Sequence, residues 1–268
     1  MRATAAIAIS VFRESVRDKV FYNLVLFAVL MMAASFLIGQ LTAGQDVKII
    51  KDLGLAATSM FGLFIAVFIG IGLVSKEVER RSIYSLLAKP IGRYQLVLGK
   101  YCGLTLTLAA NMAVMTVALY SVLAYTAWGV SPEARAAWDA PALDPALLTA
   151  MVLIFAELML VTAFALFFST FSSPMLSAAL TFGLYVVGHF SVDLRNFRQV
   201  VDSPAAAAFA CGLYWVLPNL AQFDVKSDVV HGIHVPLGYL AITGAYAALY
   251  ITMLLSIAAL VFSRRDFR

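Results

Sequence analysis

The chain carries little charge and almost no cysteine. Of its 268 residues only 13% are Asp, Glu, Lys or Arg, while 62% are hydrophobic and the mean hydropathy is +0.91. A soluble domain holds about 25% charged and 45–50% apolar residues, so water is excluded as the main solvent. The two cysteines, Cys102 and Cys211, lack metal-ligand spacing and fall on opposite sides of the topology argued below, which argues against a disulfide between them. There is no His-Glu-x-x-His pair and no convergent Ser/His/Asp set, which argues against a membrane-embedded enzyme. Gly99-Lys100 lacks an upstream glycine and is followed by Tyr101 rather than Ser or Thr, so the chain has no phosphate-binding loop. Abundant intramembrane charge, or broken helices in inverted repeats, would mark a secondary transporter or channel, and neither is apparent.

What the sequence does have is a succession of long apolar runs. At ~20 residues per helical crossing they give six spans: Phe21 to Leu41, Leu53 to Ser75, Leu96 to Trp128, Ala146 to Phe171, Pro174 to Val192 and Leu237 to Ser263. The expected fold is an all-α integral membrane protein with one transmembrane domain over residues 1–268. The third run is too long for a simple crossing and should tilt or extend beyond the bilayer. Residues 1–19 read as an amphipathic interfacial helix, with Ile7, Val11 and Ser15 on one face and Arg13, Arg17 and Asp18 elsewhere. The span-length run that follows, without a small-x-small cleavage site, argues against a signal peptide. Residues 193–236 form an outer segment; its apolar run Ala205 to Leu217 is too short to cross and reads as a re-entrant or interfacial helix.

Orientation follows from the basic residues. Thirteen of the nineteen Lys and Arg fall on one side of a six-span layout: four before the first span, six around the second connection, three in the tail. The positive-inside rule puts both termini in the cytoplasm. Membrane orientation thus explains the net charge of +4 without nucleic acid.

The second connection, residues 76–93, carries the most information. Ile83, Leu86 and Leu87 recur at i, i+3 and i+4 and form one apolar stripe, while Glu77, Glu79, Arg80 and Arg81 crowd the preceding turns. Pro90 ends the helix, and Gly92 allows a turn back into the membrane. Two readings remain open on composition: a helix resting on lipid, or a docking helix that fits a groove on a soluble partner.

The stretch Glu79-Arg80-Arg81-Ser82-Ile83-Tyr84-Ser85-Leu86-Leu87-Ala88-Lys89-Pro90-Ile91-Gly92-Arg93, followed by Leu98-Gly99-Lys100, resembles the first cytoplasmic loop of type-2 ABC transporter permeases. That family shows a Glu, then Gly-Thr, a Leu-Leu pair, Pro-Ile or Pro-Val, an Arg and a Gly-Lys; Arg81-Ser82 stand here in place of Gly-Thr. Phe168-Ser169-Thr170-Phe171-Ser172-Ser173-Pro174, Leu217-Pro218-Asn219-Leu220-Ala221-Gln222-Phe223 and the ending Phe262-Ser263-Arg264-Arg265-Asp266-Phe267 are similar to later parts of the family in the expected order. The resemblance implies a permease subunit of an ATP-driven exporter in a bacterial-type inner membrane. It would pair with a second copy, as a homodimer or heterodimer, and with two copies of an ATP-binding subunit. Glu77 to Leu87 would be the coupling helix, with Glu77, Glu79, Arg80, Arg81, Ser82, Ile83, Leu86, Leu87, Pro90 and Arg93 as its contact residues. No cofactor is expected on this chain; ATP and Mg would belong to the partner.

Inside the spans, Glu157 is the only acid, near mid-bilayer, where an ionised group costs at least ~2.5 kcal/mol and must face protein or a wet cavity. It is either hydrogen-bonded to a neighbouring helix, with Asn111 of the third span as a candidate partner, or part of the transport route. Thr58, Gly62, Ala66 and Gly70, and likewise Gly99, Gly103 and Thr107, recur every four residues and allow close helix approach, within one subunit or at a dimer face. Asp224, Asp228, His231 and His234 have a spacing that could hold a metal, though solvated loop residues are the plainer reading. His189 reads as an interface histidine. The substrate stays open, as does mechanical rather than transport work by the partner ATPase.

Overall fold

The computed structural model describes residues 2–40, 46–79, 92–135, 138, 140–191, 212, 214 and 217–264. Among them the only extended regular elements are helices. In chain order these are α1 (Arg2–Val16), α2 (Lys19–Gln40), α3 (Asp46–Glu79), α4 (Arg93–Trp128), α5 (Ala146–Ser169), α6 (Pro174–His189), α7 (Lys226–Val230) and α8 (Leu237–Arg264). Single turns cover Pro132–Arg135 and Leu220–Phe223.

Helix α5 is apolar on every side, the pattern of a helix surrounded by others. It occupies the centre, packed against α3, α4, α6, α7 and α8. Leu153, Ile154, Leu158, Leu160, Val161, Ala163 and Ala165 on it are all buried. The peripheral helices instead turn large side chains outward, such as Val117, Tyr125 and Trp128 of α4 and Ile242, Leu249 and Leu260 of α8. That much exposed apolar surface suits lipid and not water.

Four helices are long and apolar enough to cross a bilayer: Val47–Gly72, Tyr94–Trp128, Ala146–Ser169 and Leu237–Phe262. Two shorter apolar stretches, Leu24–Leu37 and Pro174–His189, fall below that length. The six expected runs each fall on a helix over most of their length; α2 has 22 residues, whereas α6 has only 16. At 1.5 Å per residue α6 is about 24 Å long, against a hydrocarbon core of about 30 Å. It ends at His189, three residues before the expected Val192, which lies outside the described residues. Gly188 lies under Leu220 and the Pro218 carbonyl; a Cβ there would come within 2.9 and 3.2 Å of them. The start of α6 is set locally by Pro174 at its first turn and by Ser173, whose Oγ accepts from the Leu176 amide.

Two helices overrun the apolar windows. α3 continues seven residues past Gly72 to Glu79, about 10 Å of further helix. α4 is a single unbroken helix of 36 residues, so the long third run is resolved by extension. Helix α1 lays Val11 and Ser15 on α4 and leaves Arg13 and Arg17 exposed. Ile7 meets Gly99 and Val11 meets Gly103, so α1 and α4 run side by side in the same direction.

Candidate functional site

The connection expected to dock a partner is framed by its ends. Glu77 and Glu79 lie in the last turn of α3, and Arg93 opens α4. Gly92 caps α4 in extended backbone, its amide donating to Gln95 Oε1 at 3.3 Å, half of a capping box. Arg80, Arg81, Ser82, Ile83, Leu86, Leu87 and Pro90 lie outside the described residues. The overrun of α3 and the side-by-side pair α1 and α4 bring three helices to this end of the molecule.

The small-residue ladders each meet a helix of the same chain. Thr58, Gly62, Ala66 and Gly70 are buried; Gly62 lies against Leu158 and Gly70 against Ala165, both on α5. Gly99 and Gly103 receive α1, and a Cβ on Gly103 would come within 2.6 Å of Val11 and 2.7 Å of the Ala8 carbonyl. Helix backbones approach this closely only where side chains are absent.

Glu157 is fully buried on α5. Its neighbour is His189 and not Asn111: His189 Nε2 lies 3.3 Å from Glu157 Oε1. Asn111 donates along its own helix to Met115 Sδ at 3.6 Å, and its Oδ1 has no partner. Neither oxygen of Glu157 accepts a hydrogen bond of good geometry, so the His189 approach is a contact at ion-pair distance and no more. The sequence hid this pair because His189 belongs to a helix that stops short. Eleven residues separate Ala146 from Glu157, so the end of α6 is level with a point about 16 Å down α5.

The space beyond the end of α6 is filled by residues 217–236. Leu220, Phe223, Val229 and Val230 are buried there. Ser191 donates to Asn219 Oδ1 at 2.6 Å, the Asn219 amide donates to Tyr246 Oη at 2.9 Å, and Tyr239 donates to the Gln222 carbonyl at 2.6 Å. The segment leaves α7 through a Schellman turn. The Ile233 amide reaches the Asp228 carbonyl at 2.8 Å and the Gly232 amide reaches Val229 at 3.1 Å, which requires φ of +76° at Gly232. Most of Ala205 to Leu217 lies outside the described residues. Asp224 pairs with Lys226 at 3.5 Å, and among the described residues no three His, Cys, Asp or Glu side chains gather as metal ligands.

A second buried charge stands nearer the start of α3. Lys51 is 1% exposed, and its Nζ donates to the Pro141 carbonyl at 2.9 Å. Tyr120 donates to the Asp144 carbonyl at 2.9 Å, while Asp144 Oδ1 accepts from the Ala146 amide in a local turn that leads into α5. The expected second span starts at Leu53 and leaves Lys51 just before it; no short motif betrays the knot that buries it.

These features define a multi-pass, all-helical membrane protein with polar ties inside the bundle and no catalytic constellation among its described residues. The family model of the ABC-2 family transporter protein matches residues 5–267, and the chain belongs to that family. It is a type-2 ABC transporter permease, the membrane subunit of a transporter whose ATP-binding subunit is a separate partner. No curated relative matches it.

Proposed function

We propose that this chain is half of the membrane part of an ATP-driven exporter, with α2, α3, α4, α5, α6 and α8 as its six spans and both termini cytoplasmic. The observation that carries the reading is the family match over nearly the whole chain, joined to the basic connection between the second and third spans. Two permease copies would each dock one ATP-binding subunit through Glu77 to Leu87, with ATP and Mg held by that subunit. Closure of the two ATPases would push on these coupling helices. The overrun of α3 and the packing of α1 along α4 support this, because a push at the connection is passed to rigid helices rather than absorbed by a flexible loop. Both small-residue ladders are covered within the chain, so the second copy would use another face, such as the exposed sides of α2 or α6.

The test is ATP hydrolysis by the co-reconstituted complex. Leu87→Asp or Glu79→Lys should abolish membrane-stimulated ATPase activity while leaving insertion and the melting temperature of the permease unchanged. Full stimulation in both variants would refute docking at this connection.

A further inference from the structure

The Glu157–His189 contact contains more than an ion pair. His189 Nδ1 lies 3.0 Å from the Tyr185 carbonyl. A carbonyl only accepts, so Nδ1 must carry a hydrogen. In a neutral ring Nε2 is then a bare acceptor, and it faces Glu157 Oε1 at 3.3 Å. Two acceptors in contact repel; the His189 side chain keeps 22% of its surface exposed, but Glu157 is buried and has no hydrogen-bond donor among the described residues. A proton between them removes the conflict, whether it rests on the carboxyl group or on the imidazole. With no proton the carboxylate is buried beside a lone pair; with two, a buried positive charge remains.

We propose that Glu157 and His189 form a single-proton binding site that latches the end of α6 to α5 beneath the 217–230 segment. The ligand is a proton, and the site stands independently of the transport reading. The surroundings fit one shared charge. From α6, the Tyr185 ring lies 4.5 Å from the His189 ring, tilted by 51°, and Ser59 of α3 acts on its hydroxyl. From the 217–230 segment, Asp224 and Lys226 act on Glu157 with opposite signs and pair with each other. From α4, Tyr101 donates to the Met159 carbonyl of α5. Helix α8 presents no acid or base before Arg264; its tyrosines Tyr246 and Tyr250 pack together at 4.9 Å. Among the described residues no other ionised group is in contact with the pair.

The sign of the pH effect follows from counting protons. The folded site holds one. The unfolded chain, with ordinary values near 4.3 for Glu and 6.5 for His, holds less than one on this pair above about pH 5.4, midway between them. Stability supplied by the site is therefore present near pH 6 and declines as pH rises, by up to tenfold in the folding equilibrium per pH unit. The Glu157→Gln site holds no shared proton, and the slope its unfolded His189 contributes near pH 6.5 runs the other way, rising with pH; the Glu157→Gln/His189→Gln site binds none in either state and is flat.

The experiment is thermal melting of the full-length protein in lipid nanodiscs from pH 6 to 9. The advantage of wild type over Glu157→Gln should shrink as pH rises, and the Glu157→Gln/His189→Gln double variant should follow the flat profile. Parallel profiles for wild type and Glu157→Gln would overturn the proposal. Should these variants fail to fold, the wild-type bundle answers alone. In a His231→Gln/His234→Gln background, nitrogen NMR of the remaining histidine should show a ring whose protonation stays constant from pH 5 to 8. A His189 that titrates there like a solvated imidazole refutes a shared proton.

Discussion

Lys51 and Glu157 are both charged residues buried in one bundle, and they are accommodated in opposite ways. Lys51 reaches a backbone carbonyl that cannot titrate, and its knot is closed by Tyr120 and by Asp144, whose turn leads into α5. Glu157 has one neighbour, an imidazole, and no hydrogen bond of good geometry. A buried charge is stable when its partners are fixed and numerous. The Lys51 knot therefore ties α3 and α4 to the start of α5 through several fixed bonds, whereas the tie at Glu157 rests on one titratable neighbour.

The largest expected effect breaks the weaker side of this comparison. His189→Ala leaves Glu157 buried without a counter-group and should cost about 3 kcal/mol or more at alkaline pH, where no proton is at hand to neutralise it. Thermal melting of the variant at pH 9 and pH 6 checks this, since the loss should be smaller at the lower pH. Lys51→Met comes next. It keeps the buried length but removes one charge-assisted bond, at about 1.5 kcal/mol, and the loss should differ less between the two pH values than that of His189→Ala. Equal pH dependence in the two variants would erase the distinction drawn between the sites.

How much of this was legible in the sequence depended on the range of the interactions. The apolar runs fixed the helices, because a backbone in lipid must satisfy itself within each run; Ala146–Ser169 begins at the expected residue and ends within two. The small-residue ladders were legible as close-packing faces, since their period is a property of one helix. Their partners were not: only the fold could show that Gly103 receives Val11 of α1. Glu157 was legible as an anomaly. Its link to His189, 32 positions later, was not, because it rests on α6 stopping early under a segment that returns from residue 217. The burial of Lys51 was hidden for the same reason: a lysine near a helix start reads as solvated until the Pro141 carbonyl 90 positions away is seen to cover it.

Tyr120 gives the finest test of the contrast. Its hydroxyl donates to the Asp144 carbonyl, so it fixes the turn that presents Asp144 to the first amides of α5 and that carries the Pro141 carbonyl over Lys51. Tyr120→Phe removes one neutral hydrogen bond and should cost about 1 kcal/mol. Were the knot a set of independent contacts, that loss would add to the loss from Lys51→Met. A shared turn makes the double variant less damaged than the sum, because either change already loosens the same backbone. Melting of the two single variants and the double variant measures the difference. Strict additivity would mean that Lys51 is held by the Pro141 carbonyl alone, which would bring the two buried charges closer in kind than their surroundings imply.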